Sequence, residues 1–238
     1  MDGFIYSDIF ATKGIEYLII ITFFLLLIPF WLILNKQVKI SGKIQKVLGF
    51  LSAGKLKIPQ GLLYSKNHTW MFMEKSGVAK VGLDDLLLHI TGEVKFSIDK
   101  NRGDRINKGD LLTQIDQDGK KLNILSPVTG EIIDANSILN EQPGMMNEDP
   151  YGNGWIYKIK PTDWIADASS CYFAEEATKW SASELDRFKD FIAVNMKSYS
   201  PYTSLVILQD GGELCDHSLS TLSRETWKSF EDEFLNLN

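Results

Sequence analysis

The chain has 238 residues, 44% of them hydrophobic and 24% charged, the proportions of an ordinary folded protein. A net charge of -6 lacks the basic footprint that a general nucleic-acid binder needs. Two cysteines, Cys171 and Cys215, and three histidines, His68, His89 and His217, are too scattered to suggest a disulfide framework or a metal site.

Tyr17 to Leu34 is an uncharged run of eighteen residues, YLIIITFFLLLIPFWLIL. As a helix it would extend about 27 Å, close to the thickness of a hydrocarbon core. Tyr17 and Trp31 stand near its ends, where aromatic side chains favour the membrane interface. A transmembrane helix is predicted, with membrane lipid as its partner. The residues before it carry Asp2, Asp8 and Glu16 against Lys13 alone, the wrong sign for a signal peptide. Lys36, Lys39, Lys43 and Lys46 follow it, so the positive-inside rule predicts a single-pass membrane protein whose C-terminal domain is cytoplasmic. These lysines fit either a linker held at anionic lipid or a solvated one. Ile40, Ile44, Val47, Leu48 and Leu51 predict a short helix over Val38 to Leu51, ended by Gly54 and Pro59.

The soluble part is predicted to begin near Pro59. Trp70 to Met73 and Gly77 to Val81 read as a hairpin. Asp84 to Ile90 reads as two turns of helix with Leu86, Leu87 and Ile90 inward, and Gly92 to Ile98 as an alternating strand. Gly103-Asp104 and Gly109-Asp110 bracket one short strand. The rest is organised around Leu111 to Ile132. There Leu112 and Ile115 face Leu122, Ile124 and Leu125 across Gln117-Asp118-Gly119-Lys120. Asp-Gly between two such runs is a strong hairpin signal, because both turn positions take φ > 0. Pro127 ends the second strand and Gly130 permits the next turn. Trp155 opens another strand after the loop at Pro150, and Trp70 and Trp155 are expected to be central to the core.

Beyond Trp164 the apolar spacing predicts a helix between Tyr172 and Trp180. Ser181-Ala182-Ser183-Glu184 has the form of a capping box, so a separate helix is predicted over Ser183 to Tyr199, stopped by Pro201. Ser204 to Leu208 and Glu213 to Cys215 are predicted strands around a turn. Ser223 is expected to cap a last helix with Trp227, Phe230 and Phe234 on one stripe.

These motifs resemble lipoyl and biotinyl carrier domains, most closely the H-protein of the glycine cleavage system. The resemblance covers roughly Leu62 to Asp163. It is carried by Tyr64 to Trp70, Val81-Gly82-Leu83-Asp84-Asp85, Ser126-Pro127-Val128-Thr129-Gly130-Glu131 and Asn147 to Trp155. It implies a mainly β fold, a lipoyl-domain-like flattened β-barrel or sandwich with added helices. Here a transmembrane helix precedes that fold and an α-β-β-α tail follows it. The expected organisation is an N-terminal segment with the span over 1–35, a basic juxtamembrane linker over 36–58, the carrier-fold domain over 59–163 and the extension over 164–238. In the family the lipoylated lysine lies eight residues before the proline of the S/A-P-V-x-G turn. That position here is Gly119, eight before Pro127. Lys120 and Lys121 come one and two positions late. Asp116 matches the acidic residue three before the family's lysine.

The expected function follows from that departure. The chain reads as a non-catalytic, non-lipoylated binding or assembly module tethered to a membrane, an accessory of a membrane complex with possible redox partners. The stripe of Trp227, Phe230 and Phe234 is expected to dock a protein partner. No catalytic residue, metal or cofactor is expected. The alternative is a lipoylated carrier of glycine cleavage type that transfers an aminomethyl or related group, with Lys120 or Lys121 bearing the lipoate. His68 is expected to hydrogen-bond a nearby loop while Trp70 packs in the core, and His89 to lie at a helix end. Cys215, Asp216 and His217 are too close in sequence to form a triad, whose members converge from separate elements.

Overall fold

The structure is a computed structural model, and it describes residues 14, 17–31, 50–196, 208–209 and 213–235. The chain divides into two compact units, Met1–Gly49 and Phe50–Asn238. In the first, residues 17–31 form helix α1, and every one of their side chains is exposed. Among the described residues no helix is long and apolar enough to cross a membrane. Leu32 to Leu34 of the apolar run, and the basic residues that follow, lie outside the described residues.

The second unit holds thirteen described strands. They are β1 (Phe50–Leu51), β2 (Leu63–Tyr64), β3 (Thr69–Met73), β4 (Ala79–Leu83), β5 (Lys95–Ser97), β6 (Arg105–Ile106), β7 (Leu111–Gln117), β8 (Lys120–Leu125), β9 (Gly130–Ala135), β10 (Trp155–Pro161), β11 (Tyr172–Phe173), β12 (Leu208–Gln209) and β13 (Glu213–Cys215). Its α-helices are α2 (Asp85–Thr91), α3 (Ile138–Glu141), α4 (Met145–Glu148), α5 (Trp164–Ala168), α6 (Ala174–Met196) and α7 (Arg224–Phe230). The strands form a seven-stranded sheet in the order β11-β2-β3-β4-β10-β9-β6, a three-stranded sheet β5-β7-β8 and a second three-stranded sheet β1-β13-β12. Their pairings are antiparallel.

The chain is thus mainly β with helices added, as the sequence suggests. Alternation along each strand sends one set of side chains inward. Val81, Ile132 and Ile159 of the large sheet meet Ile115, Leu122 and Ile124 of β7 and β8 in one core. The predicted hairpin of Trp70 is β3–β4. The strand between the two Gly-Asp pairs is β6. Asp84 caps α2 by accepting the Leu87 N–H at 2.8 Å. Leu86, Leu87, Leu88 and Ile90 of that helix are all buried.

Several expectations change. Phe50 and Leu51 belong to a strand, not to a helix, and pair with Cys215 and Leu214. The remainder of that predicted helix, 38–49, lies outside the described residues. The two helices expected around Ser181 are one, α6. No glycine or proline interrupts Ala174–Met196, so nothing stops the helix at Trp180. Ser181 is buried inside it instead of capping its start. Trp70 is fully buried and donates its indole N–H to the Pro150 carbonyl at 3.1 Å. Trp155 is only half-buried, with the Lys158 ammonium 4.5 Å above its ring, so it is not central to the core. Residues 204–207 of a predicted tail strand lie outside the described residues, while β13 and the Ser223 cap are found.

Candidate functional site at the β7–β8 hairpin tip

Asp118 and Gly119 have φ of 54° and 77°, the conformation that Asp-Gly favours in a two-residue hairpin turn. Gln117 pairs with Lys120 and Asp116 with Lys121. Asp116 Oδ1 accepts the Gly119 N–H at 2.9 Å, which ties the turn to its own strand. Gly119 therefore stands at the tip, and Lys120 is the first residue of the return strand. Neighbouring strand residues alternate faces, so the two lysines leave in opposite directions. Lys121 is exposed. Lys120 is half-buried, and its ammonium donates to the Ser220 carbonyl and, at 3.4 Å, to the Leu222 carbonyl. It also lies 5.3 Å from the centroid of the Trp227 ring.

The partners of Lys120 belong to the C-terminal extension, which crosses the tip in several places. Arg224 opens α7, and its Nη2 lies 2.7 Å from where a Cβ on Gly119 would stand. β8 is an edge strand, and the Asn123 N–H on it donates to Glu231 Oε1 at 3.1 Å. Trp227 donates its indole N–H to the Leu219 carbonyl at 2.7 Å. The stripe of Trp227, Phe230 and Phe234 exists, but it faces inward, with exposures of 1, 0 and 1%. Phe230 and Phe234 stack at 4.8 Å, and Phe188 meets them edge-on at 5.6 and 5.7 Å. An amphipathic stripe buries itself against the nearest apolar surface, and here that surface is the chain's own core. These three residues are thus not an exposed docking face.

Two histidines hold the extension to α2. His68 has no exposure, and its ring lies between Trp180 and Phe234 at 5.2 and 5.4 Å. Its Nδ1 is 2.8 Å from Asp84 Oδ2. Its Nε2 is 3.6 Å from Glu184 Oε2, an ion-pair distance and too long for a hydrogen bond. Burial presses the pKa of His68 down, but Asp84 and Glu184 together outweigh it and raise the value to about 9. His89 repeats the arrangement, with Asp216 at 2.7 Å and Asp85 at 3.4 Å. Asp216 and then Asp85 raise its pKa to about 9, against a smaller effect of burial. The adjacent carboxylates Asp84 and Asp85 thus each share a histidine with a carboxylate of the extension.

His89 lies in the last turn of α2, the helix end expected of it, and His68 meets Asp84 in the connection just before that helix. Glu184 and Asp216 are not expected from the sequence. Asp85 and His89 are four residues apart on a helix, a readable signal. The carboxylates of the extension left none. Asp216 turns to His89, and the His217 N–H donates to the His89 carbonyl at 2.7 Å, so these residues make no triad. Among the described residues no group of His, Cys, Asp and Glu could hold a metal ion. A separate cleft of 490 Å³ lies between Glu74, Lys100, Arg102, Asp134 and Lys158, and it contains no residue singled out by the sequence.

The fold and the site define a mainly β domain that presents a hairpin, with helices added around it. A family model for the glycine cleavage H-protein matches residues 62–184. A probable glycine cleavage system H protein of Thermococcus gammatolerans is 32% identical over 133 residues, covering 56% of this chain and 98% of its own length. The glycine cleavage system H protein of Marinobacter nauticus is 35% identical over 107 residues, 45% of this chain and 82% of that one. A crystal structure of a glycine cleavage system H protein from Mycobacterium marinum aligns with a TM-score of 0.41 and 24% identity, over 44% of this chain and 87% of that one. The chain belongs to the glycine cleavage H-protein family. The segment that crosses the hairpin tip, 216–231, lies outside the matched span.

Proposed function

We propose that this protein is a membrane-tethered module with the H-protein fold that works by docking, without a lipoyl group and without catalysis of its own. The observation that carries this reading is the register of the β7–β8 turn. Gly119 stands at the tip, at the position where the family's lysine is expected, and Lys120 is held in the return strand. A swinging arm needs a lysine presented free at the tip. Lys120 has its ammonium bound by two carbonyls. Lys121 is exposed but leaves from the other face of the strand.

The tether rests on the apolar run from Tyr17 to Leu34. The described part, α1, offers only exposed and mostly apolar side chains, which water does not favour. The excess of lysines after it supports a cytoplasmic domain by the positive-inside rule. Reporter fusions at Asn238 test the orientation. Activity of a cytoplasmic reporter is expected there, and alkaline phosphatase activity instead would reverse the topology.

Intact mass of the protein taken from its native membrane tests the chemistry. The expected mass is that of the unmodified chain. A lipoyl adduct mapped to Lys120 or Lys121 would restore the carrier reading. Co-purification in mild detergent is expected to retain a protein partner after both lysines are changed to glutamine.

A further inference from the structure

Three parts of the extension converge on one place. The turn at Ser220 and Leu222 takes the Lys120 ammonium. Arg224 lies against Gly119. Glu231 takes the outward N–H of Asn123 on the edge of β8. The segment that makes these contacts is anchored on both sides, although the Arg224 side chain itself is exposed. At its start, Asp216 is bonded to His89 at 2.7 Å and the His217 N–H to the His89 carbonyl at 2.7 Å. Within it and after it, Trp227, Phe230 and Phe234 are sunk in the core.

We infer that residues 216–231 form a built-in cover over Lys120 and the edge of β8, which keeps that lysine from bearing a prosthetic group and that edge from pairing with a partner strand, while Asp118 and Gly119 stay exposed. An attached arm then finds no lysine to bear it: the tip lacks one at 119, and Lys120 is held by the turn at Ser220 and Leu222. A lipoyl arm does not fit the residues present. This inference deepens the docking reading, since a partner must approach surfaces other than the edge of β8, but it can fail independently.

The test uses the full chain in detergent. Amine acetylation followed by peptide mass spectrometry compares Lys120 with Lys121, its exposed neighbour on the same strand. A charged amine held by hydrogen bonds reacts after it is released, so Lys120 is expected to label about tenfold more slowly or less. Equal rates would overturn the cover while leaving the docking reading standing. Wild-type protein treated with lipoate and a lipoate ligase that modifies a family H-protein in parallel is expected to gain no adduct at Lys120. An adduct there would also overturn the cover. A lipoyl adduct on the untreated wild type would instead overturn the docking reading.

Discussion

The hairpins β3–β4 and β7–β8 each place an exposed glycine at positive φ in the turn, and what lies next to that glycine differs. The β3–β4 turn closes with the Glu74 N–H on the Val78 carbonyl at 2.8 Å, and Gly77 takes a φ of 79°. A Cβ built on Gly77 meets nothing within 4 Å. The β7–β8 turn has Gly119 at 77°, and a Cβ there meets Arg224 at 2.7 Å. The φ of the glycine alone does not separate the two. A segment about a hundred residues downstream does, by setting the exposed Arg224 side chain against one glycine and not the other.

The largest expected effect comes from removing the anchor of the cover. Trp227 is buried, hydrogen-bonded through its indole and packed beneath Lys120. Trp227→Ala is expected to cost about 3–5 kcal/mol of stability, read as a fall in Tm. Lys120 labelling should rise with it. At the open hairpin Ser76→Ala should change stability by less than about 0.5 kcal/mol. Similar effects at the two sites would erase the distinction between the tips.

Acidity sharpens the same contrast, because only the covered side is latched by histidines. His68 and His89 bind their protons more tightly when folded, near pH 9 against an unfolded value of 6.5. The stability they contribute is therefore fully present below pH 6.5 and is lost as pH rises through about 9. Buried His68 contributes a few kcal/mol at most, and the part-exposed His89 less, because solvent screens its ion pairs. Thermal melts from pH 6 to pH 10 should show a falling Tm. His89→Asn should flatten part of that fall and lower the Tm at pH 6. A Tm that holds constant up to pH 10 would show that the bridges from Asp84 and Asp85 to the extension contribute nothing to folding.

The two tryptophans of the carrier fold give a smaller contrast. Trp70 is fully buried, and Trp155 lies half-exposed under Lys158. Trp70→Ala should cost about 3–5 kcal/mol and Trp155→Ala about 1–2 kcal/mol. Equal losses in denaturant melts would place Trp155 deeper than its exposure implies.

Much of this was legible in the sequence, and the division follows the range of the interactions. The Asp118-Gly119 turn, the two-turn helix near Asp84, the short strand between two Gly-Asp pairs and the Ser223 cap are decided by residues within a few positions of one another. Each was readable for that reason. The α6 helix was misread at Ser181 because a capping box is a permissive pattern. Serine and glutamate at that spacing also occur inside helices, where burial beside Trp180 overrides the local signal. The stripe of Trp227, Phe230 and Phe234 was legible as a stripe, but periodicity does not say what covers it. The bridges from His68 to Glu184 and from His89 to Asp216 join residues 116 and 127 positions apart, and no local pattern encodes them.

The smallest expected difference is the most direct comparison of the tips. Alanine at either turn glycine must adopt φ near +78°, which costs roughly 1 kcal/mol for a residue with a Cβ. At Gly77 that is the whole cost, since the new methyl meets open space. At Gly119 the methyl also displaces the Arg224 guanidinium, the far end of a flexible side chain, which can move aside. The two substitutions should therefore lower stability by nearly the same amount, with Gly119→Ala worse by a few tenths of a kcal/mol. Combining Gly119→Ala with Arg224→Ala should remove that excess in a double-mutant cycle. An excess above about 2 kcal/mol would mean that Arg224 is fixed in place and that the cover is rigid down to its outermost side chain. No excess at all would mean that Arg224 only rests on the tip, leaving Lys120 and its two carbonyls as the contact that closes it.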